Sequence, residues 1–192
     1  MRETQAEAYG PLGDAARHRP LVELAAGLCG LAELPKHAGR LAAIVLRRAD
    51  GVRDTPDCVL LTPEEGVPGN RWGRQTPHAS DAQLAVMRRD VAELVANGQP
   101  LTLFGDNLFV DLDISAANLP PGARLLVGDA VVEVTPKPHN GCHKFEGRFG
   151  HDALEFVNAK STRHLNLRGI YCKVVKPGKV AVGETIHVLL RG

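Results

Sequence analysis

The chain has 192 residues, a length that suits one domain with a sizeable core. Its 23 lysines and arginines stand against 22 aspartates and glutamates, so bulk charge gives no support to a nucleic-acid or membrane-surface partner, and any anion site must be local. The four cysteines, Cys29, Cys58, Cys142 and Cys172, form neither C-x-x-C pairs nor a dense disulfide scaffold, and no apolar run approaches the ~20 residues of a membrane span.

Residues 1–18 are polar and without a sustained period, and are expected to form a loose arm ahead of a single domain over 19–192. The start "MRETQAEAYG" has no basic stretch followed by an apolar run, which makes a reducing, cytoplasmic setting the default expectation. From Pro20, the residues Leu21, Leu24, Ala25, Leu28, Leu31 and Ala32 recur at helical spacing, with Pro20 at the first helical position and Pro35 limiting the far end.

Beyond Gly39 the texture changes to short apolar runs: "RLAAIVLRR", "DCVLLTP", "NLFVDLDI", "ARLLVGDAVVEVTP", "GIYCKVV" and "ETIHVLL". These predict a mainly β architecture, with Gly128-Asp129 turning a hairpin over 124–135 and a second turn at Pro177-Gly178. Two later segments predict helices. "SDAQLAVMRRDVAELVANG" offers Ser80 and Gln83 as a capping box, apolar positions at Leu84, Met87, Val91, Leu94 and Val95, and Gly98 as a stop. "HDALEFVNA" from His151 is shorter. Many strands and few helices point to a closed or distorted antiparallel β-barrel with peripheral helices.

Three stretches carry candidate chemistry. The loop "EEGVPGNRWGRQ" places Arg71 and Arg74 where they could fork onto phosphate, although solvated surface arginines with Trp72 pinning the loop would give the same composition. In "LFGDNLFVDLD", Asp106 and Asn107 precede a strand and fit an Asx turn. "KPHNGCHKF" sets Cys142 after Gly141 and among Lys137, His139, His143 and Lys144, a cationic neighbourhood of the kind that favours a thiolate. A nucleophile, a metal ligand and a small packing residue all remain open for Cys142. Cys29, Cys58 and Cys172, within apolar runs, are expected to be buried packing residues.

The order of "LTPEEGVPGNRWGRQ", "FGDNLFVDLDISAANLPPGARLLVGDAVVEVT", "PHNGCHKF" and "RGIYCKVVKPGKVAVGETI" resembles the MOSC family, named for the C-terminal domain of molybdenum cofactor sulfurases. The resemblance implies a distorted β-barrel that binds molybdenum cofactor (molybdopterin), with Cys142 as metal ligand and catalytic centre. It also implies Arg71, Arg74, Asn107, Lys144 and Arg168 as candidate cofactor-binding residues, with Arg71, Arg74 and Arg168 expected to converge on one anion site. Two departures mark a "PHxGC" subgroup: "GNRW" replaces a "GDRH"-like loop, and Gly141 replaces a proline before the cysteine. The implied activity is reduction of N-hydroxylated small molecules with electrons from an external electron-transfer protein. The alternatives are a carrier of cofactor or cofactor-bound sulfur, and a scaffold that has lost the cofactor.

Overall fold

In the computed structural model, which describes residues 12–74 and 79–191, seven strands close into a barrel whose inside is lined by buried apolar side chains. The chain runs α1 (Leu21–Cys29), β1 (Ala38–Ile44), β2 (Leu46–Arg47), β3 (Arg53–Asp54), β4 (Cys58–Leu61), β5 (Leu84–Arg88), α2 (Arg89–Ala96) and β6 (Leu108–Asp111). It continues through β7 (Arg124–Val127), β8 (Ala130–Val134), α3 (His143–Phe149), α4 (His151–Asn158), β9 (Ile170–Lys176), β10 (Gly178–Ala181) and β11 (Thr185–Leu190).

The barrel order is β1-β11-β7-β8-β9-β5-β6, closed by β6 pairing back onto β1, while β4 pairs with β10 and β2 with β3 outside it. Every pairing is antiparallel except β5 with β6. That exception follows from connectivity, because α2 carries the chain across between the two strands as a crossover. The hairpin turn at Gly128 has φ 54°, as anticipated, and each of the six apolar runs contributes strand.

Alternation assigns the two faces. Leu84, Val86, Leu108, Val110, Ile170 and Cys172 point into the barrel core, whereas Met87 and Phe109 point outward into a second core with Val91, Val95, Phe104, Phe145, Phe149 and Phe156. Helices α1 to α4 contribute to this outer core and cover that side of the wall.

Three expectations are corrected. The stretch from Ser80 is not one helix: residues 84–88 form β5 and the helix begins at Arg89. Leu84 to Met87 are all buried, two facing the barrel interior, and a short apolar run of this kind satisfies either period. Gln83 makes no capping box; its amide donates to the Pro63 carbonyl at 2.7 Å and accepts from the Val174 N–H at 2.7 Å. Helix α1 stops at Cys29, short of Leu31 and Ala32, and Pro20 stands just outside it with extended backbone. Cys172 is buried as expected, but Cys29 and Cys58 are exposed, one ending α1 and the other opening β4, a strand paired on one side only. Within 12–18, the Asp14 N–H donates to Gln99 Oε1 at 2.7 Å and the Asn97 amide donates to the Arg17 carbonyl at 3.0 Å. Among the described residues no helix is long and apolar enough to cross a membrane.

Candidate functional site

The residues before β6 are fixed by Asn107, which is fully buried. Its amide oxygen accepts from the Ala85 N–H at 3.2 Å and its amide nitrogen donates to the Val45 carbonyl at 3.3 Å, while its backbone bonds the same two residues. Asn107 thus crosslinks β5 to the chain after β1 and sets the position of Asp106, whose side chain is 0% exposed. Oδ2 of Asp106 accepts from Nη1 of Arg168 at 2.6 Å. That guanidinium also lies over the Phe145 ring, 5.1 Å from its centroid, and its Nη1 is 3.8 Å from the Met87 sulfur. Oδ1 of Asp106 faces Nδ1 of His139 at 3.7 Å, beyond hydrogen-bond reach, and both atoms are buried without a hydrogen-bond partner among the described residues. The His139 ring packs on Tyr171 with centroids 4.2 Å apart.

Burial sets the titration of this group. It pushes the Asp106 carboxyl up, against the opposing pull of Arg168 and then Arg47. The same burial, reinforced by Arg168 and Arg47, holds His139 well below the ordinary imidazole range, so the ring is neutral at neutral pH.

Around this pair gathers a cluster of arginines. Arg47 and Arg53 stand directly opposite each other on β2 and β3. Like charges at facing positions of a two-stranded ladder repel. Asn70, fully buried, accepts the Arg47 N–H at 2.8 Å and so ties the loop carrying Arg71 to this ladder. Arg148 in α3 donates to the Leu103 carbonyl at 2.7 Å. Burial lowers Arg47, with Asp106 opposing and Arg71 adding. It takes Arg53 down to about 10, with help from Arg148, Arg47 and Arg71, and leaves Nε and Nη1 of Arg53 buried without hydrogen-bond partners. Arg148 is lowered by burial, opposed by Cys142 and deepened by Arg168 and Arg71. Five guanidinium groups therefore feel one another, and the Asp106 carboxylate opposes them at Arg47 and Arg168.

Cys142 is exposed and directly precedes α3, with Arg148 one helical face away and within electrostatic reach of its sulfur. Asn158 of α4 clamps the residue before it, accepting the Gly141 N–H at 2.8 Å and donating to the Gly141 carbonyl at 3.1 Å. A Cβ at Gly141 would lie 2.7 Å from Leu154 Cδ1 and 3.1 Å from Val157 Cγ2, so the loop packs closely on α4 and a side chain here would have to displace the end of Leu154. No group of three or more histidine, cysteine or acidic side chains suited to a metal exists among the described residues.

Of the residues predicted from sequence, Cys142, Arg71 and Arg168 fall in this one neighbourhood. Lys144 is half-buried in the first turn of α3, and Asn107 serves as the crosslink. The backbone at Arg74 ends a 3-10 turn from Trp72, and its side chain lies outside the described residues. Trp72 is 5% exposed and its indole donates to the Ala79 carbonyl at 2.9 Å, closing the loop onto itself. Sequence reading missed Arg47, Arg53, Arg148 and Asn70. A signal for the first two was present: Asp50 and Gly51 are turn residues, and Arg47 and Arg53 stand three residues to either side of Asp50.

The comparisons with known proteins agree with this architecture. The MOSC domain profile matches residues 69–187, more than half of the chain. Among solved structures, the chain resembles the YuaD protein from Bacillus subtilis at 15% identity and a TM-score of 0.57, covering 78% of this chain and 94% of that one. It also resembles YiiM from Geobacillus stearothermophilus at 18% identity and a TM-score of 0.53, covering 80% and 76%. YiiM from Escherichia coli aligns at 22% identity and a TM-score of 0.52, covering 80% and 71%. No curated protein matches the chain in sequence. The profile match and the closed barrel together establish that this chain belongs to the MOSC domain family.

Proposed function

We propose that the protein binds molybdenum cofactor and reduces N-hydroxylated small molecules in the cytoplasm, with electrons from a separate electron-transfer protein. One observation supports this reading: Arg47, Arg53, Arg71, Arg148 and Arg168 act on one another electrostatically, and Arg148 among them also acts on Cys142. The donor set fits a metal that brings its own sulfur ligands, because the described residues offer the Cys142 thiol and no cluster of three or more groups suited to a bare ion. Arg47, Arg53, Arg71, Arg148 and Arg168 would receive the phosphate and pterin edge, with Lys144 beside them and Cys142 as the protein's ligand to the metal.

The cofactor, when bound, supplies two-electron oxygen-transfer chemistry. The overall change breaks the substrate N–O bond, takes up two electrons and two protons, and releases an amine and water. The chain's own part is to hold an anion without solvent. Arg168 is fixed by Asp106 and by the Phe145 face, so its charge is already oriented. The neutral His139 adds no competing cation to the cluster.

Protein made in a molybdenum-competent host should contain molybdenum and cofactor phosphorus, and Cys142→Ser should lack both while its stability moves by no more than ~1–2 kcal/mol. A variant that keeps its molybdenum, or a wild type that never carries any, overturns the reading. The exposure of Cys142 favours a second reading, a carrier that passes cofactor or cofactor-bound sulfur to another protein. Metal content without turnover identifies that case.

A further inference from the structure

A cavity of about 230 Å³ borders His139 and Arg168 and continues past Asn140, two residues before Cys142. Its apolar lining includes three prolines, Pro121, Pro136 and Pro138, with Val134, Leu167 and Ile170. Most polar groups around it already have partners. Asn158 clamps Gly141, Asn166 donates to the Ile114 carbonyl at 2.8 Å, and Thr135 donates to the Asp81 carbonyl at 2.6 Å. Of the charged lining residues, Arg168 is paired with Asp106 and Lys137 with Asp81, at 2.6 and 3.0 Å. Arg163 has no side-chain partner among the described residues, and no acidic residue lines the cavity.

Size and charge together narrow the ligand. A cavity near 150 Å³ is known to hold benzene, and pockets for drug-sized ligands begin at about 300 Å³, so this one accommodates a single substituted ring. The exposed Arg163 at the edge of apolar walls, with further cations behind His139, favours an anion and disfavours a cation. We propose that the cavity is a pocket for one-ring carboxylates, with Arg163 pairing the carboxylate. It rests on the cofactor reading in one respect: such a carboxylate bearing the N-hydroxyl group is the substrate class, placed beside the Cys142 loop by Asn140 and the Asn158 clamp.

The test is a titration by calorimetry of the full chain, its molybdenum content measured separately, with benzoate, the neutral isostere benzamide and the cation benzamidine. Benzoate should bind at least about tenfold more tightly than benzamide, a ratio worth ~1.4 kcal/mol, and benzamidine should not bind. Arg163→Ala should remove that preference and Arg163→Lys should restore part of it. Equal binding of benzoate and benzamide, no benzoate binding, or a preference indifferent to Arg163→Ala overturns the pocket. Protein that carries molybdenum but ignores benzoate overturns the pocket alone, whereas benzoate binding in a chain that never carries molybdenum overturns the cofactor reading and leaves the pocket standing. If loading with cofactor blocks benzoate, the cavity belongs to the cofactor and the substrate assignment fails.

Discussion

Asp106 and His139 sit 3.7 Å apart and titrate in opposite directions, which separates their contributions to stability. Asp106→Asn leaves Arg168, 8% exposed, without its carboxylate among four other arginines. Removing one partner of a buried pair costs about 3–5 kcal/mol, and a domain of this length loses ~2–4 °C per kcal/mol, so the melting temperature should fall by at least ~6 °C. An unchanged melting temperature would show that the pair adds nothing to the fold. For His139 the folded imidazole lies well below its ordinary value of 6.5, so as the pH falls through 6.5 the unfolded chain takes the proton first. This contribution is complete above that pH and is lost on acidification. Asp106, raised by burial, has the opposite sign: the folded state holds its proton longer, so its contribution is present at low pH and declines as pH rises. The comparison of two proteins isolates the histidine. His139→Phe keeps an aromatic ring on Tyr171, and its stability measured by urea titration should decline less than that of the wild type between about pH 7 and pH 5. Parallel curves would mean that His139 takes its proton as readily in the fold as in the unfolded chain.

At the scale of elements, Gln83 shows why a helix period was a misleading guide to residues 80–98. Its side chain, 3% exposed, satisfies the Val174 N–H and the Pro63 carbonyl and thereby joins β5, β9 and the loop after β4. Such a brace looks like a capping residue in sequence, because nothing local reveals a partner 91 residues away. Gln83→Ala leaves two backbone groups unpaired in a closed place and should cost about 2–4 kcal/mol by urea unfolding, with no change in the denaturant slope. A loss below ~0.5 kcal/mol would mean that water replaces the amide. The six apolar runs were legible as strands, since alternation and the Gly128 turn are local signals, whereas β5 was not, and α4 was legible from its own period. Helix α3 was not. Its "HKFEGRF" mixes two phenylalanines, buried in the outer core, with an Arg148 that is also buried, so its pattern is set by Phe104, Leu103 and the arginine cluster instead of by a single apolar stripe.

Over the whole molecule a net charge of +1 conceals a local excess, because acidic side chains elsewhere offset five arginines that act on one another. Composition could exclude a basic face but could not locate this cluster. Family motifs located Cys142, Arg71 and Arg168, yet Arg47, Arg53 and Arg148 come from three separate elements that only barrel closure and the β2–β3 hairpin bring together. Such a concentration of like charge opposes folding until an anion joins it, so stability and binding should trade against each other at these positions. Arg53 is the residue to test, since it faces Arg47 across the ladder and has two buried nitrogens without hydrogen-bond partners. Arg53→Met keeps the stem and removes the charge. Without anion this variant should melt above the wild type, because the repulsion across β2 and β3 is relieved. Inorganic phosphate should then stabilise the wild type by mass action, about 1.4 kcal/mol at ten times its dissociation constant, or roughly 3–5 °C, and should stabilise Arg53→Met distinctly less. Sodium chloride at matched ionic strength separates specific binding from screening, which would raise the wild type toward the variant without saturating. A wild type indifferent to phosphate, or an Arg53→Met protein that melts lower and responds equally, would show that the arginines are held by protein contacts alone and form no anion site.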